Sequence, residues 1–442
     1  MVNDRDNSLE VATSSILSSR PESGALYYLV NWPDQFTIKI FDKEHLGMQE
    51  TWRWFGPDDT VTLEQIRQAG ASGVVTALDH IPTGHAWPLE EITTRQTLIN
   101  ENGLEWSVVE SIPVHQDIKL RTGNYRAYID NYRQSLTNLG ERGIRRVCYN
   151  FMPVVDWTRT NLNFELENAS SALRFEMSDF VAYDIHILQR PDAASDYNQA
   201  QLSIAAERFA GMSSEEKARL ESNIIAGLPG GEGSYNRQGI SQAIQAFQDI
   251  GNEGLRSNLF AFLTDIIPTA EAAGVVLAIH PDDPPFSLFG LPRVVSTAQD
   301  ARAIIESAQS TSNGLTMCAG SYGARSDNDL VKMVNEFGPS IHFVHLRNIQ
   351  READGSFYET EHLDGDNDIV GIINALLNQE ASRRQNNNLL SEIPMRPDHG
   401  HAIGDEKNDP TVRPGYSFAG RLKGLAELRG VIHTLTTLGQ RG

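Results

Sequence analysis

Eight times after residue 47, a short and mostly apolar run gives way to a helical pattern, and this alternation limits the fold more than any other feature. The runs lie at 51–55, 73–78, 104–109, 144–149, 275–279, 315–317, 341–344 and 393–395. Each is too short for a helix, and most lack the alternating polar positions of a half-exposed strand. The stretches between them carry helix signals. Thr62 with Gln65 forms a capping box for a helix that ends at Gly70. Leu255, Leu259, Phe262, Leu263, Ile266, Ile267 and Ala270 recur at helical spacing over 253–273, around Pro268. Apolar strands joined by helices specify a parallel sheet covered on both faces. Eight units favour a closed (β/α)8 barrel over an open doubly wound sheet, and no G-x-G-x-x-G follows the first strand.

Two segments depart from the pattern. Residues 158–250 show several helical patterns, including Ser213 with Glu216 as a capping box, and no convincing strand. They read as a long helical insertion after the fourth strand of a barrel domain spanning 48–442. Residues 1–47 are polar and serine-rich at first, with 27–30 and 36–41 able to pair as a weak hairpin. They are expected to form a weakly structured N-terminal extension.

In a barrel of this kind the C-terminal strand ends share one face, where active sites lie. The fifth run leads into His280, the sixth into Cys318 and the seventh into His345. The eighth leads into Pro394-Met395-Arg396-Pro397-Asp398-His399-Gly400-His401. His280, Cys318, His345 and Asp398 are therefore expected to meet near the barrel axis. Two imidazoles, a thiolate and a carboxylate make a donor set for a divalent transition metal. Their spacings are long and irregular, and each residue alone reads as ordinary: a buried cysteine is usually a small hydrophobe. Four at consecutive strand ends tip the balance toward a metal.

Other groups face the same mouth in this reading. Glu110 and His115 follow the third strand, Asp156-Trp157-Thr158-Arg159 the fourth, and Tyr416 the eighth. Arg347 lies two residues past His345 and Arg396 two before Asp398, and both are suited to bidentate binding of a carboxylate. Asp282 and Asp283, set between prolines, read as loop stiffeners, and Gly320-Ser321-Tyr322-Gly323 as a tight turn.

Charge narrows the partners. Thirty-seven basic against 58 acidic residues leave a net charge of -21, which repels nucleic acid and anionic membranes. A small anionic substrate remains compatible, because a metal and a few arginines dominate the local field. With two cysteines, Cys148 and Cys318, no disulfide framework is expected. No window has the roughly 18 apolar residues of a membrane span, and 1–10 lack a signal-peptide core. A cytoplasmic protein is expected.

Several motifs together carry a family resemblance. They are Thr51-Trp52-Arg53-Trp54-Phe55-Gly56-Pro57, Val147-Cys148-Tyr149-Asn150-Phe151-Met152-Pro153, His280-Pro281-Asp282-Asp283-Pro284-Pro285, His345-Leu346-Arg347 and Arg396-Pro397-Asp398-His399-Gly400. In this order they resemble the D-mannonate dehydratases of hexuronate degradation, over nearly everything from Met48 onward, with 1–47 outside. The resemblance implies a xylose-isomerase-like TIM barrel that removes water from D-mannonate to give 2-dehydro-3-deoxy-D-gluconate. It implies Mn2+ or Fe2+ held by His280, Cys318, His345 and Asp398. It implies His399 and Tyr416 as the acid–base pair beside Asp398, and Arg347, with Arg396 and Arg159, as substrate contacts. A homo-oligomer is expected. Asp79 before His80 departs from the family pattern, which has a second histidine there, so no role is carried over to that loop.

Two other readings compete. A metal-dependent sugar isomerase on the same barrel also needs a metal and an acid–base pair. A metal-free scaffold would bury the same residues as core.

Overall fold

The computed structural model describes residues 47–226, 236–386 and 390–439; the 27–30/36–41 hairpin lies outside them. Numbered in chain order, the described strands are β1 (Gln49–Arg53), β2 (Gly73–Thr76), β3 (Glu105–Glu110), β4 (Arg146–Tyr149), β5 (Asn161–Glu165), β6 (Ser171–Phe175), β7 (Val276–Ile279), β8 (Asn313–Cys318), β9 (Ile341–His345), β10 (Ile349–Arg351), β11 (Phe357–Glu359) and β12 (Pro394–Arg396). Eight of them close a parallel barrel in the order β1-β12-β9-β8-β7-β4-β3-β2. The seam between β1 and β12 pairs Gln49 with Pro394 and Glu50 with Met395. All eight expected strands are present, and the closed barrel is the fold.

Alternation along these strands sorts side chains into two apolar layers. Val74, Val109, Val147, Leu277, Ile279 and Val344 point outward into the large core beneath the helices. Val75, Val108, Cys148, Ala278 and Phe343 form a separate small cluster inside the barrel. Moving two residues on from these inward positions reaches Glu110, Asn150, His280 and His345. The same parity connects Thr51 to Arg53 and Thr316 to Cys318. The strand period alone therefore aims these polar side chains along the axis at the C-terminal mouth.

The helices follow from their patterns. Thr62 and Gln65 complete the capping box before the helix Leu63–Gln68. The helix Gly251–Ala273 buries all seven apolar residues picked out from its sequence and runs through Pro268. The helix Leu330–Phe337 is capped by Asp329, which accepts from Lys332 N at 3.1 Å.

The expectation that 158–250 holds no strand is corrected. The Ser213–Glu216 cap forms as expected, but β5 and β6 make a hairpin within this segment. β6 also pairs with β11, giving a four-stranded sheet β10-β11-β6-β5. The signal was weak because β5 (Asn-Leu-Asn-Phe-Glu) has two asparagines and a glutamate, residues of low strand propensity. Backbone bridges join this segment to the barrel mouth, Trp157 to Asp283 and Ser171 to Ala402. The start of the insertion thus packs against loops at the C-terminal face. Among the described residues no helix is long and apolar enough to cross a membrane.

Candidate active site

At that face a cleft is lined by Arg53, Glu110, Asp156, Trp157, His280, Asp283, Arg347, Arg396, Asp398, His399 and Tyr416, among others.

Three donor atoms gather at one side, with a carboxylate beside them. His280, Cys318 and His345 offer ligand atoms within 4.8 Å of one another. His280 Nε2 is 3.2 Å from His345 Nδ1. Asp398 lies beside this trio, with Oδ1 3.7 Å from His345 Nδ1 and Oδ2 3.8 Å from Cys318 Sγ. Ligands bound at 2.0–2.3 Å around one tetrahedral ion are roughly 3.3–3.8 Å apart. The trio is spaced for a shared ion, and Asp398 stands next to it with one oxygen toward His345 and the other toward Cys318. The hydrogen bonds fit too. His280 Nδ1 is 2.7 Å from the Pro281 carbonyl, which can only accept, so Nδ1 carries the proton and the Nε2 lone pair is free. Burial lowers the His280 pKa, favouring the neutral imidazole a metal needs. On His345 the opposite nitrogen, Nε2, is 3.0 Å from Glu110 Oε1, a carboxylate placed to fix the ring.

The acids around this group are balanced by buried arginines. Arg347 donates from Nε to Asp398 Oδ2 at 2.5 Å and from Nη1 to Glu359 Oε1 at 2.8 Å, and its Nη2 pairs with Asp283. Gly320 makes this possible: a Cβ there would sit 2.6 Å from the Arg347 Cζ. Arg396 contacts Asp398 Oδ1 at 2.6 Å and Glu110 at 3.1 Å. Burial pushes the Asp398 pKa up, but the charges of His399, Arg396, His345 and Arg347 outweigh it and hold the carboxyl well below its usual range.

His399 and Tyr416 form a second group. Asp398 adopts a left-handed conformation, φ 65°, which aspartate tolerates better than most residues. Gly400 N then donates to Gly415 O at 2.8 Å. A Cβ on Gly400 would meet Arg421 N at 2.3 Å, so only glycine lets the final helix approach this loop. This packing sets the His399 and Tyr416 rings 5.0 Å apart, edge to face. His399 Nδ1 lies 2.9 Å from both oxygens of Glu359. The Tyr416 hydroxyl donates to no described residue, and burial pushes its pKa up to about 12, against an opposing pull from Arg396.

Relatives decide what this constellation belongs to. A family profile described as D-mannonate dehydratase matches residues 48–441. Mannonate dehydratase from Saccharophagus degradans is 63% identical over 391 residues, 88% of this chain and 98% of that protein. Mannonate dehydratase 2 from Agrobacterium fabrum is 56% identical over 88% of this chain and 97% of its own length. The chain belongs to the D-mannonate dehydratase family. The crystal structure of mannonate dehydratase from Streptococcus suis serotype 2 superposes with a TM-score of 0.70 at 34% identity, covering 89% of this chain and 95% of that one.

For this D-mannonate dehydratase family member, the structure brings His280, Cys318, His345, Asp398, His399, Tyr416, Arg347 and Arg396 together at one mouth. Arg159 is placed differently. It is fully buried and does not line the cleft. It instead braces Asp283 at 2.7 Å and Glu359 at 3.1 Å from behind. Asp283, read from sequence as a loop stiffener, is the acid shared by Arg159 and Arg347. Asp282 fits that stiffening role, accepting from Val295 N and Ser296 Oγ. Glu359 was missed altogether. It ends the three-residue strand β11, a run too short to register as a strand, and its charge gave no clue to burial. His401 is structural: its Nε2 is 3.1 Å from the Glu359 carbonyl, holding that strand end.

Proposed function

We propose that this protein removes water from D-mannonate to give 2-dehydro-3-deoxy-D-gluconate, with Mn2+ or Fe2+ held by His280, Cys318, His345 and Asp398. The observation that carries the reading is the adjacency, in one cleft, of a metal-spaced donor set and a carboxylate-oriented histidine facing an unpartnered tyrosine hydroxyl. When bound, the ion supplies positive charge for the substrate carboxylate and 2-hydroxyl, which makes the weakly acidic C2–H accessible to a base.

The chain's own residues do the rest. Glu359 fixes the proton of His399 on Nδ1, so Nε2 is free to take the proton from C2. Burial raises the Glu359 pKa, but its neighbours His399, Arg347 and Arg159 outweigh that and hold it down to about 2, so it stays an acceptor. Tyr416, kept protonated by burial, donates to the 3-hydroxyl, which departs as water. The resulting C2–C3 enol then gains a proton at C3, loses the proton of its 2-hydroxyl and becomes the 2-keto product. Arg347 and Arg396 line the cleft and hold Asp398, Asp283, Glu359 and Glu110 ionised and in place. Arg159 acts as a positioning residue through Asp283 and Glu359. Residues 48–442 are the catalytic domain in this reading, with 158–250 as its covering insertion and 1–47 as an appendage.

The direct test is to load the purified protein with Mn2+ or Fe2+ and supply D-mannonate and, separately, aldoses. A 2-keto-3-deoxy acid is expected. A ketose from the aldoses would support the isomerase, and a metal-loaded protein that forms neither product would overturn the proposal. Glu359→Gln is expected to lower kcat by about 10–100-fold with little change in KM or metal content, because it loosens the His399 ring and leaves the ligands intact. Steady-state kinetics with metal analysis checks this.

A further inference from the structure

We propose that Arg53 anchors the end of the sugar acid remote from the metal group, and so reads its chain length; this rests on the dehydratase reading. Donor bookkeeping singles it out. The three arginines that a strand-end reading favours are committed to protein acids. Arg347 serves Asp398, Glu359 and Asp283, Arg396 serves Asp398 and Glu110, and Arg159 is sealed behind Asp283 and Glu359. Arg53 lines the same cleft yet makes one hydrogen bond, Nη1 to Trp54 O at 2.9 Å, and one long contact, Nη2 to Asp79 at 3.8 Å. No described residue takes its remaining donors. A buried guanidinium with free N–H groups facing a cleft is unfinished until a ligand completes it.

Its position says which part of the ligand it meets. Around the closed barrel β1 stands opposite β7, the strand that delivers His280, and is separated by β12 from β9 and β8, which deliver His345 and Cys318; Asp398, after β12, is the nearest of the four. A carboxylate drawn to the metal group therefore points the far carbons of an open chain toward β1. Tyr416 shares Phe55 with Arg53: its ring packs edge-on against Phe55 at 4.8 Å, and the Arg53 guanidinium lies 4.3 Å from the centre of the same ring. With C3 at Tyr416, the hydroxyls beyond it come to Arg53. Its guanidinium donates to them, and Asp79, partly exposed behind it, is available as an acceptor. The site is rigid: Arg421 donates from Nη1 to the Arg53 carbonyl at 2.8 Å and fixes the strand end.

The test compares D-mannonate with the four-carbon acid that keeps its configuration at C2 and C3 but lacks the two terminal carbons. In Arg53→Met, kcat/KM for D-mannonate is expected to fall roughly 10–100-fold, mainly through KM, the loss expected for hydrogen bonds from a charged donor. The affinity of the metal-loaded protein for the four-carbon acid, read by titration calorimetry, is expected to stay within about twofold. Arg53→Lys should recover part of the loss. Should Arg53→Met misfold, shown by lost metal content, Arg53→Lys carries the comparison alone. An equal loss for both acids would place Arg53 at the reacting end, and no loss for D-mannonate would make it structural; either overturns the proposal. A wild-type protein that binds D-mannonate but eliminates nothing from it would instead count against the dehydratase reading, and binding of the two acids would still report on Arg53.

Discussion

Replacing Cys318 by serine is expected to abolish metal retention and lower turnover by on the order of 10³-fold, while leaving the barrel folded. Serine keeps the size and polarity of the side chain but offers a neutral hydroxyl where the ion needs an anionic donor. The loss of several kcal/mol of charge stabilisation at C2 corresponds to roughly three decades in rate. The fold survives for a local reason. Cys318 Sγ already lies 3.1 Å from Ser321 Oγ and 3.8 Å from Asp398 Oδ2, so a serine hydroxyl at this buried point finds partners at once. Metal analysis after dialysis should give full occupancy for the wild type and little for the variant. Melting of both proteins in chelator should agree within about 2–4 °C, the shift of about 1 kcal/mol in a domain of moderate size. Full metal content in the serine variant would remove the sulfur from the donor set.

The strand pattern made the barrel and the three clustered donors His280, Cys318 and His345 legible because both follow from local periodicity. An inward position at Ala278, Thr316 or Phe343 implies an inward position two residues later, and those are His280, Cys318 and His345. The same step reaches Arg53, Glu110 and Asn150, which the sequence offered only as motif members or flanking groups. The residues that hold the catalytic groups in place obey no such rule. Glu359 comes from the short strand β11, which is ordered by pairing with β6 of the insertion, 180 or so positions earlier, and sequence spacing carries no trace of that pairing. Arg159 looked like a substrate contact because a lone arginine near a barrel mouth has no sign of its partners. Its burial depends on Asp283 and Glu359 arriving from two other segments. Asp283 was misread for the mirror-image reason: its prolines are visible locally, its arginines are not.

His399 and Tyr416 should separate cleanly when the two halves of the reaction are measured apart. In D2O, proton removal from C2 appears as deuterium in recovered D-mannonate, and departure of the 3-hydroxyl appears as keto-deoxy product. Tyr416→Phe keeps the ring against Phe55 and His399 but removes the proton meant for the leaving group. It is expected to lower product formation by about 10²–10⁴-fold while C2 exchange continues. His399→Asn keeps an N–H that can reach Glu359 but has no basic nitrogen, so exchange and elimination should fall together by a similar factor. The assignment follows from the hydrogen bonds and not from the residue types, since either side chain can act as acid or base. Glu359 accepts from Nδ1 and frees Nε2 of His399, whereas burial pushes the phenol pKa up to about 12 and no described residue accepts its proton. Exchange lost in Tyr416→Phe but retained in His399→Asn would reverse the two roles while leaving the metal group and the reaction unchanged. Retention of full elimination by either variant would take that residue out of the chemistry altogether.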